Sequence, residues 1–308
     1  MTSDPETTPW FDLQVNGFAG VDFQRDDLTA AMIDHVVEAL LRHGTGRILL
    51  TLITDRVDHL CRRLERIEKF CATSPRAREV IAGYHLEGPW LLPEPGYHGA
   101  HDPALMIPPT LADLERLESA AGGRLRLVTL APELPGSPEI IAHAASRGIR
   151  TAIGHSNASD GEIDAAITAG LTLCTHLGNG VPNLLHRHDN IIQRMLARDE
   201  LTAVFIPDGI HLPPAVLRNF VRAKPPGKVL FTTDCMAAAG AGPGCYSLGR
   251  LDLEVGADGV VREPGKNNFA GSSLTMDRAV ENVRVFLGWP EQDAMAACSA
   301  GVAAPLGL

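Results

Sequence analysis

Short apolar runs alternate along this chain with longer stretches whose apolar residues recur at helical spacing. The runs cover 11–17 (FDLQVNG), 47–54 (RILLTLIT), 80–88 (VIAGYHLEG), 125–133 (LRLVTLAPE), 150–156 (RTAIGHS), 171–177 (LTLCTHL), 201–209 (LTAVFIPDG) and 228–234 (KVLFTTD). They lack the polar alternation of a strand with one wet face, so both faces are expected to be covered. Amphipathic segments 29–44, 56–72, 159–170 and 214–223 fall between them, several opening on Ser, Thr or Asp and stopping at Gly, as capped helices do. Roughly eight strand-helix units in series, without a long linker, predict a single (β/α)8 TIM barrel over residues 1–308 with a short N-terminal extension over 1–10. An open doubly wound sheet is the alternative, but VNGFAG is too short and badly spaced for a dinucleotide loop. Segment 245–265 predicts a β-hairpin insertion after the eighth strand, turning at Asp258-Gly259.

Composition narrows the partners. With 45% hydrophobic and 21% charged residues the chain can bury a large core. The balance of 27 basic against 37 acidic residues gives a net charge of −10, which repels nucleic acid and anionic membranes alike. No apolar run approaches the roughly 20 residues of a membrane span, and the N-terminus lacks a leader pattern, so neither anchoring nor export is expected. Six cysteines without a Cys-x-x-Cys pair argue against a disulfide framework and a thiolate zinc site, and a cytoplasmic location is the simplest expectation.

Polar residues gather where the runs end: Gln14 and Asn16 in the first, Glu87 in the third, His155 in the fifth, His176 in the sixth and Asp234 in the eighth. That end of a barrel carries the active site. Each histidine alone reads as a hydrogen-bonded structural residue. Jointly, one carboxylate and two imidazoles on different strands of a closed barrel converge on its axis and form a three-ligand metal site with an open position. Such a set accepts zinc, iron, cobalt or manganese. Asp234 closes an apolar strand, where partial desolvation suits a general base; its alternative role is to cap the following segment. His101, Asn179, Arg187 and His211 stand on loops after strands, where substrate contacts are expected. The absence of a Gly-x-Ser-x-Gly elbow, a Walker loop or His-Glu-x-x-His leaves serine hydrolase, nucleotide triphosphatase and zincin chemistry without support.

The ordered segments DLQVNGFAGVDF, HLEGPW, GAHDP, IGHSNAS, CTHLGNG, PDGIHLPP, TTDCM and FAGSSLTM resemble the N-acetylglucosamine-6-phosphate deacetylases of the amidohydrolase superfamily, over residues 11 to about 285. The resemblance implies a metal-dependent hydrolase that removes the N-acetyl group of N-acetylglucosamine 6-phosphate. It implies one divalent ion, zinc foremost, on Glu87, His155 and His176, with Asp234 as catalytic acid/base and His101 polarising the acetyl carbonyl. His211 and the Asn179-Gly180 turn would hold the sugar phosphate, Gln14 joins the substrate-binding set, and Arg187 falls at the position of a phosphate-binding Arg that acts across a homodimer interface. Gln14-Val15-Asn16 stands where two-metal members carry His-x-His, so the likeness is to single-metal members. The family's small β-sandwich is expected to be largely missing, and GNGVPN and RHDN replace its usual phosphate-region segments, which leaves the exact sugar open. The alternatives are an amidohydrolase on another N-acyl amino sugar or a cyclic amide, and a non-catalytic sugar-phosphate-binding protein.

Overall fold

The structure is a computed structural model that describes residues 9–266 and 268–306; the expected N-terminal extension therefore lies mostly outside the described residues. Eight parallel strands form one sheet in sequence order: β1 (Trp10–Val15), β2 (Thr45–Ile53), β3 (Ile81–Glu87), β4 (Leu125–Leu130), β5 (Arg150–Ile153), β6 (Leu173–Cys174), β7 (Thr202–Phe205) and β8 (Val229–Phe231). The sheet curls back on itself. Val15 bridges Cys235 in parallel, Asn16 N–H donates to the Cys235 carbonyl at 2.8 Å, and buried Asp12 accepts from both Thr232 and Thr233 beside β8. This is the (β/α)8 barrel that the periodicity predicts.

The four amphipathic segments are helices, Ala30–Arg42, Val57–Thr73, Asp160–Ala169 and Pro214–Ala223. Their ends follow local chemistry. Thr29 caps the first by accepting from the Met32 amide, and Ser159 with Glu162 forms a reciprocal capping box on the third, which then stops at left-handed Gly170. Inside the barrel, Leu13, Leu49, Leu127, Leu173, Val204 and Leu230 make an apolar floor. The larger cluster between sheet and helices covers the other strand face, which explains why these strands show no polar alternation.

The observed strands are shorter than the apolar runs at the C-terminal end. His155, His176 and Asp234 have φ values of 52°, 27° and 49°, and a strand ladder cannot continue through left-handed residues. Glu87 still belongs to β3. After β8 the chain forms a three-stranded antiparallel sheet, Gly244–Leu248, Leu251–Val255 and Val261–Arg262, where the sequence suggested one hairpin. The additional turn is at Gly249-Arg250, where Gly249 adopts φ 59°; the Asp258-Gly259 turn joins the second and third strands. Asp22 ties this sheet to the barrel by accepting from the Gly249 amide at 2.8 Å.

Candidate active site

Glu87, His155 and His176 each offer a ligand atom, and the three atoms lie within 4.8 Å of one another at the barrel mouth, all buried. The imidazole Nε2 atoms of His155 and His176 stand 3.3 and 2.8 Å from the same Glu87 oxygen, Oε1. Ligands of a tetrahedral ion with N and O bonds of about 2.0–2.1 Å sit about 3.3 Å apart. The residues therefore fit a small divalent ion with only slight expansion. His155 is also in the correct tautomer: its Nδ1–H donates to the Tyr97 carbonyl at 2.7 Å, which leaves the Nε2 lone pair turned toward Glu87. Its ring lies between two glycines. A Cβ at Gly99 or at Gly180 would come within 2.9 Å of the ring, and both residues adopt positive φ. His176 Nδ1 is buried without a protein partner among the described residues.

Charges at the site follow from burial and from these contacts. Burial alone would raise the Glu87 carboxyl, but the adjoining His155 and His176 rings outweigh it and hold it well below the usual carboxylate range. Burial opposes protonation of His176, yet the Glu87 hydrogen bond raises its pKa above the ordinary value. Burial, followed by the charge of Glu87, pushes Asp234 up to about 7. Asn16 acts in the opposite direction, its Nδ2 donating to Asp234 Oδ1 at 2.8 Å. His101 is lowered to about 3, first by burial and then by neighbouring His155. Because the Thr54 amide donates to His101 Nδ1 at 3.4 Å, the neutral ring carries its proton on Nε2, which stands 3.6 Å from Glu87 Oε2.

A cavity of about 530 Å³ opens over these groups, within the range typical of small-molecule sites. Asp234, His101, His211, Asn179 and Gly180 line it together with the ligand set. Gln14 and Arg187 do not. Gln14 is fully buried, with both amide atoms lacking a partner among the described residues. It lies two residues further from the mouth than Asn16, along a strand rising about 3.3 Å per residue, and Asn16 is the residue that reaches the cavity. Arg187 is exposed, outside the cavity of its own chain.

The structure adds residues that the sequence reading passed over. Asp208 accepts from His211 Nδ1 at 2.6 Å and from the backbone amides of Ile210 and His211, so it fixes how that histidine is presented. The Asp-x-x-His spacing in PDGIHLPP is the signal that could have located it. Phe269 lies at the cavity wall with its ring centroid 5.0 Å from that of His211.

An eight-stranded barrel with a Glu/His/His set able to hold a metal ion at its mouth defines a class, the barrel hydrolases of the amidohydrolase type. Comparison with known proteins narrows the class to one family. The chain is 35% identical over 97% of its length to the N-acetylglucosamine-6-phosphate deacetylase of Bos taurus, covering 74% of that protein. It is 31% identical over 97% of its length to the N-acetylgalactosamine-6-phosphate deacetylase of Escherichia coli O157:H7, covering 77% of it. Among solved structures, a mutant N-acetyl-D-glucosamine-6-phosphate deacetylase from Mycobacterium smegmatis, in complex with N-acetyl-D-glucosamine-6-phosphate, superposes with a TM-score of 0.86 at 32% identity, over 98% of this chain and 77% of that one. No family model matches the chain. The chain belongs to the N-acetylglucosamine-6-phosphate deacetylase family.

Proposed function

We propose that the chain hydrolyses the acetamide of N-acetylglucosamine 6-phosphate to glucosamine 6-phosphate and acetate. The observation that carries this reading is the meeting of Glu87, His155, His176, His101 and Asp234 around one cavity in a chain of this family. Glu87, His155 and His176 hold one divalent ion, zinc foremost. When bound, the ion polarises the amide oxygen and lowers the pKa of water at its open position.

The protein's own groups then move the protons. Asp234 accepts a proton from the attacking water as the carbon–oxygen bond forms, and delivers it to the amide nitrogen as the carbon–nitrogen bond breaks, so the sugar leaves as a neutral amine. Its burial and its elevated pKa suit a group that must both take and return a proton near neutrality. His101, neutral with Nε2–H directed into the site, donates to the acetyl oxygen and stabilises its developing negative charge. His211, oriented by Asp208, and the Asn179-Gly180 turn contact the sugar phosphate. Arg187, exposed on its own chain, serves the cavity of a partner subunit in a homodimer.

No helix among the described residues is long and apolar enough to cross a membrane. All six cysteines are free, which suits the reducing cytoplasm. The test is acetate release from N-acetylglucosamine 6-phosphate beside elemental analysis of the same preparation. Stoichiometric metal with acetate release is the expected result, and ligand binding with neither would overturn the reading. Because one relative is named for the galactosamine epimer, the same assay is run on both sugars; a preference for the galacto form would move the assignment to that substrate.

A further inference from the structure

Directly beneath the ligand set, a chain of buried polar side chains crosses the barrel interior. Thr51 Oγ1 of β2 lies 3.2 Å from His85 Nδ1 of β3, His85 Nε2 lies 2.8 Å from Thr129 Oγ1 of β4, and Thr129 Oγ1 lies 2.6 Å from Thr175 Oγ1 just past β6. Thr51 Oγ1 additionally accepts from the Val15 amide at 3.1 Å, which joins β1 to the same chain of contacts. Below it is the leucine-rich floor, and above it are Glu87, His155 and His176.

The belt has a member next to the ligand on two of the three ligand-bearing strands, and it passes close against the backbone of the third. His85 stands two residues before Glu87 on the same side of β3, and Thr175 is adjacent to His176. Gly154, which precedes His155, allows the belt to pass, because a Cβ there would come within 2.8 Å of Thr129 Cγ2 and 3.0 Å of Thr175 Cβ. His155 and His176 themselves are held in left-handed backbone, which is strained for residues with a side chain and persists only where the surroundings fix it. An apolar layer would pack as well here and leave no polar groups to satisfy, so stability alone does not explain four hydrogen-bonded side chains in a barrel core. A fully satisfied polar network does what apolar packing cannot: it sets one lateral spacing between strands.

We propose that the Thr51–His85–Thr129–Thr175 belt is a positioning network that sets the separation of Glu87, His155 and His176, and with it the affinity of the site for a divalent cation. This inference rests on the ligand assignment made above. The belt residues touch neither cation nor substrate; they act through the strands that carry the ligands.

Thr129→Val tests it, since it keeps the shape and removes the hydroxyl shared by His85 and Thr175, while Thr129→Ser restores that hydroxyl. Metal-stripped proteins of the 308-residue chain are titrated with Zn2+ against a chromophoric chelator, and their thermal unfolding without metal is recorded in parallel. Thr129→Val is expected to bind Zn2+ about 10- to 100-fold more weakly than wild type, with Thr129→Ser close to wild type. A merely structural role would lower the unfolding temperature of the stripped protein and leave Zn2+ affinity unchanged, and that outcome overturns the proposal. Thr175→Val, which breaks only the last link, gives the same readout if Thr129→Val does not fold. Failure of wild type to bind Zn2+ would remove the ligand assignment and the belt's role together, whereas wild-type binding matched by both valine variants removes the belt alone.

Discussion

Asn16 Nδ2 donates a 2.8 Å hydrogen bond to Asp234 Oδ1 across the seam where the first and last barrel strands meet. Both residues are buried and both line the cavity. The bond favours the ionised carboxyl against a site that otherwise pushes it to about 7. Asn16→Ala therefore raises the Asp234 pKa further, and the acidic limb of the kcat/KM profile moves to higher pH. Activity at pH 6 is expected to fall more than activity at pH 8.5, with metal content unchanged; a pH profile parallel to that of wild type would contradict this.

Asp234→Asn removes the proposed proton carrier and keeps nearly the same shape. Turnover should drop by at least about 10²-fold, the lower range for general acid–base catalysis. Elemental analysis should find wild-type metal in the variant, because the proposed ligand atoms belong to Glu87, His155 and His176.

Arg187 separates action within one subunit from action across two. If it reaches a partner's cavity, Arg187→Ala and Asp234→Asn proteins complement each other on mixing: half of the random dimers contain one intact site, giving roughly a quarter of the wild-type rate. No recovery after subunit exchange, verified by mass, would assign Arg187 to its own chain or to no role.

Asp22 predicts a pH dependence of stability. Burial pushes its carboxyl up to about 6 in the folded protein, against an ordinary 3.8. Between those values the native state binds more protons than the unfolded chain, so stability falls as pH rises through this window and levels off above it. The interval corresponds to about 3 kcal/mol at most. Urea midpoints measured from pH 4 to 7 should decline more steeply for wild type than for Asp22→Asn, which does not titrate.

The barrel was legible because its strands are covered on both faces and therefore read as unbroken apolar runs. A carboxylate or imidazole ending such a run is conspicuous, which is how Glu87, His155, His176 and Asp234 could be picked out before any geometry. Strand ends were overextended because the residues that face the cavity leave the ladder in left-handed conformations, a property no periodicity reports. Gln14 and Asn16 stand two residues apart at the end of the first apolar run, and the pattern could not tell which of them reaches the mouth. The Gly249 turn and the Asp208–His211 pair were overlooked for another reason: each is a short local signal inside a segment already given a different meaning.

The two glycines flanking the His155 ring carry a warning for anyone hardening this enzyme for use. Replacing loop glycines with alanine is a common route to thermostability because it restricts the unfolded chain. At positions 99 and 180 the added methyl would meet an imidazole at 2.9 Å from a backbone that disfavours L-residues. A library built to stiffen these loops should leave both codons fixed, or it will select heat-resistant proteins that no longer work.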